Sequence, residues 1–413
     1  MTSIPEPSCI PDEGTKTVVP SSQADVADIV CKAFSAKEPI YTVGGSTVSR
    51  ANRSVKSTGT KLCLGKLSSI IDYPTDDMTI TVEAGLTVTQ LRKRLAASRQ
   101  WLPIDVPDSD KATVGGIVAA DVAGPRQYAH GTLRDYVIGL TAVDGRGTVF
   151  HGGGRVVKNA AGYDVCKLMT GSRGTLGVIT QVTFMVRPMP EKSAMLACDV
   201  VDFDMAERLL SQMVHTKTLP AAIEMISGKL PLACPGARPL RDKAKARLLV
   251  GVEGNDVDVA WMSETMRQEW EAAGIEADDI FEIDQVDAAW QWLTNLGIDL
   301  RIDVRPSDMI GLIEQLEEIA PDCLIAAHAG NGILRVTLPT SDPTEFARLV
   351  REEIRPLVAK SGGNMVIMSW PDSTVLTPQD IWGPPSNGMP VMRAMKQRFD
   401  PAGILNPGQF VFE

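Results

Sequence analysis

Three segments between residues 40 and 180 are rich in glycine and poor in large side chains, and they limit the possible folds more than any other feature of this sequence. The first spans 43–49, the second 112–124, and the third runs from 157 to 180. Each lies beside a short apolar run typical of a strand. Because glycine lets a backbone approach another group closely, these segments predict a chain that passes tightly around something bulky.

Each segment taken alone has two interpretations. Gly44 and Gly45 follow a predicted strand, which fits either a nest of N–H groups that binds phosphate or a simple turn. The second segment fits a flat ring lying against bare backbone, or a tightly packed helix–strand junction. The third, with glycine at 171, 174 and 177, fits a wrapped loop or a bulged hairpin. The combination of the three in one domain favours a bound ligand.

Several common nucleotide-binding and hydrolase signatures are missing. The sequence contains no G-x-G-x-x-G after a strand, no G-x-x-x-x-G-K-[ST], no H-E-x-x-H and no G-x-S-x-G. A Rossmann dinucleotide site, a P-loop, a zincin site and a nucleophile elbow are therefore disfavoured. The glycine-rich segments need another explanation.

The length of the chain predicts more than one domain. It has 413 residues, whereas single hydrophobic cores stop growing near about 250–300 residues. The predicted divisions are a loose lead-in at 1–20, a ligand-binding domain at 21–190, a second domain at 191–395 and a returning segment at 396–413. The second domain shows strand–helix units that predict a sheet with helices on one face.

The composition of the chain excludes some classes of binding partner. The chain carries 41 Lys and Arg against 51 Asp and Glu, a net charge of −10, which argues against a nucleic-acid binder. Seven scattered cysteines without a C-x-x-C, and only four histidines, predict reduced thiols and no metal centre built by this chain alone. No membrane-spanning or signal-like stretch is evident, so we expect a cytoplasmic protein, or one held peripherally at the inner membrane by partner subunits.

The three segments together resemble the FAD-binding domain of the vanillyl-alcohol oxidase / p-cresol methylhydroxylase (PCMH) family. Within it, the chain most resembles the FAD-binding E subunits of bacterial glycolate oxidases. The most specific parts are Lys-Asn-Ala-Ala-Gly-Tyr-Asp at 158–164, the run at 171–180, and the ending Phe-Asp-Pro-Ala-Gly-Ile-Leu-Asn-Pro-Gly at 399–408. The resemblance implies an α+β chain with a bipartite PCMH-type FAD-binding domain and an α/β cap domain.

The resemblance also implies where each portion of FAD would lie. The pyrophosphate would meet Gly44, Gly45, Ser46 and Thr47. The ribityl and flavin portions would meet Thr113, Gly115 and Gly116. The adenosine half would meet Gly174, Gly177, Val178 and Ile179, and the isoalloxazine edge would meet Asn406. Lys158 fits an ion pair with the phosphates or a partner subunit as well as a solvated position, and Tyr163 is expected to pack.

Three side chains are candidates for catalysis: His130, His328 and Arg335. His130 would support negative charge on the reduced flavin, or be an ordinary structural histidine. The segment 328–335 resembles the His-x-Gly-Asp-Gly-Asn-x-His element of D-lactate- and glycolate-oxidising relatives, with Arg335 at the second histidine. A guanidinium has no lone pair for a metal, so Arg335 is expected to clamp a carboxylate or to form a structural ion pair.

These observations predict an FAD-dependent oxidoreductase that acts on the CH–OH group of a small 2-hydroxy acid, of the glycolate or D-lactate class. The resemblance implies a D-type flavin subunit and an iron–sulfur subunit as partners, the latter receiving the electrons. One alternative is an FAD-binding assembly or electron-relay subunit without turnover of its own. A stand-alone FAD-linked oxidase of another substrate is a third possibility.

Overall fold

The computed structural model describes residues 16–47, 59–154, 163–228, 238, 244–369 and 375–411. The strands in this part of the chain, numbered β1 to β18 in order, are Lys16–Val18, Ile40–Val43, Thr60–Cys63, Ile70–Asp72, Thr79–Glu83, Gln100–Trp101, Val137–Val143, Val149–Gly153, Val178–Met185, Arg187–Pro188, Lys192–Val200, Pro220–Gly228, Ala246–Gly254, Ile280–Glu282, Leu300–Asp303, Leu324–His328, Ile333–Thr337 and Asn364–Ile367.

The α-helices of the same residues, numbered α1 to α14, are Gln23–Ala36, Val88–Ala96, Val114–Ala120, Gln127–His130, Leu133–Tyr136, Val165–Met169, Phe203–Met213, Asp256–Ala272, Val286–Asn295, Met309–Ile319, Pro343–Arg348, Arg355–Lys360, Pro378–Trp382 and Met389–Phe399. A π-helix, Leu349–Ile354, joins α11 to α12. No helix of the described ranges is long and apolar enough to cross a membrane.

The chain forms two compact units. Unit 1 contains Met1–Ala123, Thr132–Met189 and Pro385–Glu413, and unit 2 contains Gly124–Gly131 and Pro190–Pro384. These limits differ from the predicted ones at α4 and at the return to unit 1, and β1 of the predicted lead-in belongs to unit 1. The short helix α4 lies in unit 2, because its side chains bind the sheet of that unit. The return to unit 1 begins before 396, because α14 runs unbroken through that position.

Unit 1 is built on a parallel three-stranded sheet, an antiparallel five-stranded sheet and a short β6–β10 pair. The parallel sheet has the order β1-β3-β2, so Lys16–Val18 is a strand rather than part of a loose lead-in. The larger sheet has the order β4-β5-β9-β7-β8. Ile80, Val82 and Phe184 are completely buried in its core. The first glycine-rich segment leaves β2, and the third leads into β9.

Unit 2 is an eight-stranded antiparallel sheet of order β14-β11-β13-β12-β16-β17-β15-β18. Helices cover both of its faces, so the prediction of helices on one face is wrong. On one face, a Cβ added at Gly251 would overlap the Trp290 ring of α9. A Cβ at Gly254 would instead contact Asp258 and Val259 of α8. Because side chains alternate along β13, positions 251 and 254 point to opposite faces.

The cysteines differ in part from the expectation that all are reduced. Cys63 is disulfide-bonded. Cys31, which is exposed, and the buried Cys166, Cys198 and Cys323 are free. Burial raises the pKa of the Cys166 thiol to about 11, so that thiol stays protonated and unreactive near neutral pH.

Candidate functional site

The first and second glycine-rich segments lie in direct contact in unit 1. A Cβ added at Gly44 would overlap Thr113 Oγ1, and one added at Gly45 would overlap the carbonyl oxygen of Lys111. The main chain can approach the Thr113 side chain at Gly44, and the Lys111 main chain at Gly45, this closely only where it carries no side chain of its own. Both glycines are therefore required by the packing of one segment on the other.

The loop at 44–47 presents main-chain donors. None of its four N–H groups donates a hydrogen bond to a described residue. Ser46 has a φ of 53°, in the left-handed region, and a left-handed residue in a tight turn lets successive N–H groups converge. The geometry suits the phosphate-binding nest rather than a simple turn with its donors satisfied internally.

The second segment, which contacts this loop, leads into α3. Thr113 is the N-cap of that helix, and its Oγ1 accepts a hydrogen bond from the Gly116 N–H at 3.3 Å. Gly115 donates to the carbonyl oxygen of Ala84 at 2.7 Å, and a Cβ there would lie 2.8 Å from the Ala84 Cβ. Gly115 therefore packs against the end of β5. At Gly116 a Cβ would meet only Thr113 Oγ1, which leaves more room for a ligand.

The third segment closes onto the end of α3. The N–H of Gly171 donates to the Val118 carbonyl at 2.9 Å, and that of Arg173 donates to the Ala119 carbonyl at 2.7 Å. These bonds satisfy carbonyl groups that a helix end leaves without an internal partner. The second and third segments are thus joined through the main chain.

The remainder of the third segment is largely structural in this fold. Val178 and Ile179 are buried in β9, and a Cβ at Gly177 would lie 3.1 Å from the Val143 carbonyl oxygen. Their predicted contact with adenosine stays a prediction. Tyr163 is 98% exposed, so the expectation that it packs is wrong. Lys158 lies outside the described residues.

Asn406 joins β2, the strand that leads into the first segment, to the third segment. Its Oδ1 accepts a hydrogen bond from the Thr42 N–H at 2.8 Å, and its Nδ2 donates to the Arg173 carbonyl at 2.8 Å. A Cβ at Gly174 would overlap the same Nδ2, which explains glycine there. The structure gives Asn406 main-chain partners, and its predicted contact with the isoalloxazine edge stays a prediction.

The residues around this junction fit FAD. The buried hydroxyl oxygens Thr42 Oγ1 and Ser172 Oγ have no hydrogen-bond partner among the described residues. Buried polar atoms normally have one, and the polar atoms of a bound cofactor would provide it. The N–H groups at 44–47 also find no acceptor in the described ranges. The oxygens of a bound diphosphate would accept their hydrogen bonds.

In unit 2, His328 forms a buried pair with a residue that the sequence reasoning missed. Its Nδ1 lies 2.8 Å from both carboxylate oxygens of Glu224. The exposed fractions of the two side chains are 3% and 2%. The pair forms because β12 and β16 are neighbours in a register that places Glu224 opposite His328. The one indication of this pair in the sequence is a glutamate inside the apolar run 220–228.

The hydrogen bonds that position Arg335 end on main-chain carbonyls. Its Nη1 donates to the Leu293 carbonyl at 2.8 Å, and its Nη2 donates to the carbonyls of Thr294 and Leu296. These oxygens lie at the C-terminal end of α9, where a cation is favourable for the helix dipole. Arg335 therefore caps α9 in this structure, and its expected role as a carboxylate clamp or in a structural ion pair stays a prediction.

His130 belongs to a second polar cluster in unit 2. Its Nε2 lies 2.9 Å from Glu253 Oε2, and Arg126 donates to Glu253 Oε1 at 3.1 Å. The Arg126 guanidinium also stacks on the Trp290 ring, 5.1 Å from its centroid. His130 is 21% exposed, so it is more accessible than His328. Neither Arg126 nor Glu253 was singled out from the sequence.

The role of Arg335 as a cap on α9 can be tested by substitution. Arg335→Met should lower the free energy of unfolding by about 1–3 kcal/mol, because three carbonyls lose a charged donor, and it should leave FAD affinity unchanged. Urea unfolding and a flavin titration measure the two quantities. Arg305→Met, which alters an exposed guanidinium of the same unit paired with Asp308, is the control. A large loss of affinity for the acid substrate, without loss of stability, would contradict the structural role.

Solved structures with the same fold are known. The chain matches an alkyldihydroxyacetonephosphate synthase structure with a TM-score of 0.73 and 16% sequence identity, over 95% of this chain and 76% of that one. At this identity the match shows the fold alone.

Two family models match the sequence. Residues 15–153 match the FAD binding domain model, and residues 189–301 and 385–410 match the model of the C-terminal domain of FAD linked oxidases. This chain is an FAD-linked oxidoreductase. The predicted cofactor and the PCMH-type α+β fold are confirmed. Among the described residues, no group of three His, Cys, Asp or Glu is placed to hold a metal ion.

Curated relatives of this oxidoreductase include several hydroxy acid enzymes. It is 25% identical to the glycolate oxidase subunit GlcD of Bacillus subtilis, over 98% of this chain and 90% of that protein. It is 36% identical to the glycolate oxidase subunit GlcE of Escherichia coli, over 41% of this chain and 49% of that protein. It is 27% identical to the D-lactate dehydrogenase of Archaeoglobus fulgidus, over 97% and 92% of the two chains.

Proposed function

We propose that this oxidoreductase is the FAD-binding subunit of a glycolate oxidase-type dehydrogenase that oxidises a small 2-hydroxy acid. The observation that carries the proposal is similarity across both units to proteins named for glycolate and D-lactate. The junction of the three glycine-rich segments supports it, because it supplies the donors that a flavin dinucleotide requires.

Different residues of the chain would bind the cofactor and take the substrate's proton. When bound, FAD supplies the acceptor for the two electrons that leave the α-carbon. The N–H groups at 44–47 would bind its phosphates and fix its position. His130, oriented by Glu253, would take the proton of the substrate hydroxyl, because an imidazole held by a carboxylate is a suitable base near neutral pH. His328 is too deeply buried for that role and would hold the sheet in place.

The electrons would then pass to a partner. We propose an iron–sulfur subunit as the acceptor and a D-type flavin subunit beside it, with attachment to the inner membrane through those partners. Two of the relatives are named as subunits, and the scattered cysteines of this sequence lack the C-x-x-C spacing of cluster ligands.

A second candidate is a subunit that holds FAD and relays electrons without oxidising the acid itself. It is favoured by the altered element at 328–335, in which Arg335 caps α9 and His328 is buried against Glu224. The substrate-binding pair that the resemblance implied is therefore not available in its expected form.

Anaerobic mixing separates the two candidates. We expect the purified, FAD-loaded chain to lose its visible flavin absorbance when D-lactate or glycolate is added, and His130→Gln to slow that loss by about 10²–10⁴-fold, the usual contribution of a general base. His215→Gln, at an exposed histidine of the same unit, is the control. Bleaching that occurs only after a second subunit is added would favour the relay subunit, and no bleaching with either subunit would contradict the proposed substrate class.

A further inference from the structure

The C-terminal segment 396–406 contacts the third glycine-rich segment and β2, the strand that leads into the first. Asn406 bridges Thr42 and Arg173 through its side-chain amide, with both distances 2.8 Å. Thr42 is in β2, two residues before the 44–47 loop, and Arg173 is in the loop that caps α3. One amide therefore sets the separation of two segments that lie far apart in sequence.

The main chain of the same segment strengthens this bridge. Ile40 donates to the Ile404 carbonyl and accepts from the Asn406 N–H, both at 2.8 Å, so Ile404 to Asn406 extends the edge of the parallel sheet beside β2. Asn406 has a φ of 43°, a conformation that asparagine tolerates better than most residues. The position therefore selects a residue that can both turn the chain and donate and accept through its side chain.

A buried ion pair between Lys396 and Asp400 fixes the conformation of the segment. Lys396 Nζ donates to Asp400 Oδ2 at 2.8 Å, to the Thr175 carbonyl at 3.0 Å and to the Leu405 carbonyl at 3.2 Å. Asp400 accepts from the N–H groups of Ile404 and Leu405. Both side chains are almost fully buried, and a buried pair with its remaining hydrogen bonds satisfied fixes one geometry. Lys396 thus ties the segment to the same loop that Asn406 contacts.

We infer that the segment 396–406 sets the affinity for FAD by holding in place the parts of the chain that surround the cofactor. Asn406 and Lys396 are positioning residues: they hold the 173–175 loop and β2 at the separation that the cofactor requires. The inference extends beyond the proposed function, because it concerns cofactor retention and does not depend on which acid is oxidised.

Asn406→Gly is the variant that tests this role. Glycine adopts a φ of 43° without strain, so the change removes the two side-chain hydrogen bonds and leaves the backbone conformation available. We expect the dissociation constant for FAD, measured by titrating the apoprotein and following flavin fluorescence, to rise about tenfold or more. The Thr42 amide should exchange its hydrogen faster in the apoprotein. Arg393→Met, at an exposed position of α14, should change neither quantity.

Two results would overturn the inference. If Asn406→Gly binds FAD as tightly as the unmodified chain, the bridge does not set the affinity. If affinity falls while exchange at Thr42 and at 173–175 is unchanged in the apoprotein, Asn406 acts by direct contact with the cofactor instead. Both readouts precede any reaction with an acid, so failure of the proposed substrate class would leave them unaffected.

Lys396→Met provides an independent test from the other side of the segment. It leaves Asp400 buried without its cation, so we expect weaker FAD binding together with a lower thermal midpoint of the apoprotein. The double change Lys396→Met with Asp400→Asn removes both charges and should recover part of the stability. FAD affinity that follows stability back to the unmodified value would contradict positioning by Lys396, because the bond to Thr175 is still missing in the double variant.

Discussion

Gly45→Ala is expected to weaken FAD binding by at least about 10–100-fold. The added Cβ would overlap the carbonyl oxygen of Lys111 and approach the Ala112 nitrogen, and both are main-chain atoms that cannot swing aside as a flexible side chain would. Overpacking of this kind costs about 1–3 kcal/mol or more, and each 1.4 kcal/mol is about tenfold in affinity. The first two glycine-rich segments must separate, which disturbs the N–H groups at 44–47.

A flavin titration of the apoprotein measures this effect, with circular dichroism to establish that the variant is folded. Gly154→Ala is the matched control, because a Cβ at that glycine of unit 1 would have no atom within 4 Å. It should bind FAD normally. A folded Gly45→Ala protein with unchanged affinity would contradict the assignment of this loop to the phosphates.

The second large effect is expected at the buried His328–Glu224 pair. His328→Leu leaves the Glu224 carboxylate buried without its partner, and breaking such a pair costs about 3–5 kcal/mol. For a unit of this size, each kcal/mol lost from the free energy of unfolding lowers the unfolding midpoint by about 2–4 °C. We therefore expect the midpoint of unit 2 to fall by about 6–20 °C, measured by scanning calorimetry.

The double variant His328→Leu with Glu224→Leu distinguishes pairing from mere packing. Replacing both members of a buried polar pair by apolar groups is often close to neutral, so the double variant should be more stable than His328→Leu alone. His215→Leu, at an exposed histidine, should shift the midpoint little. Additive losses in the double variant would show that the two side chains do not act as a pair.

Much of unit 1 could be predicted because its requirements are local. A backbone that must approach another backbone at Gly45, or turn through the left-handed region at Gly174, needs glycine at that position whatever the rest of the chain does. Those requirements are visible in the sequence as three segments. Their order, together with the ending at 399–408, was enough to predict the FAD-binding domain.

The partners of the polar side chains could not be predicted in the same way. His328 and Glu224 lie 104 residues apart, and His130 and Glu253 lie 123 apart. Each pair depends on which strands are neighbours and on their register, since a shift of one residue would turn a side chain to the other face. The main-chain partners of Arg335 could not be predicted for the same reason: the carbonyls that it binds belong to a helix end brought beside β17 only in the folded sheet.

The sequence by itself determined the FAD-binding domain, through its resemblance to a known family, and the places of the glycine-rich bends, because steric requirements of the backbone restrict the residue type at single positions. Only the tertiary structure decided that 124–131 joins unit 2, that Glu224 and Glu253 hold the two histidines, and that Asn406 joins β2 to the third of the bends. Hydrogen bonds of that kind are specified by the meeting of distant segments, and a polar residue placed alone in a sequence does not reveal its partner.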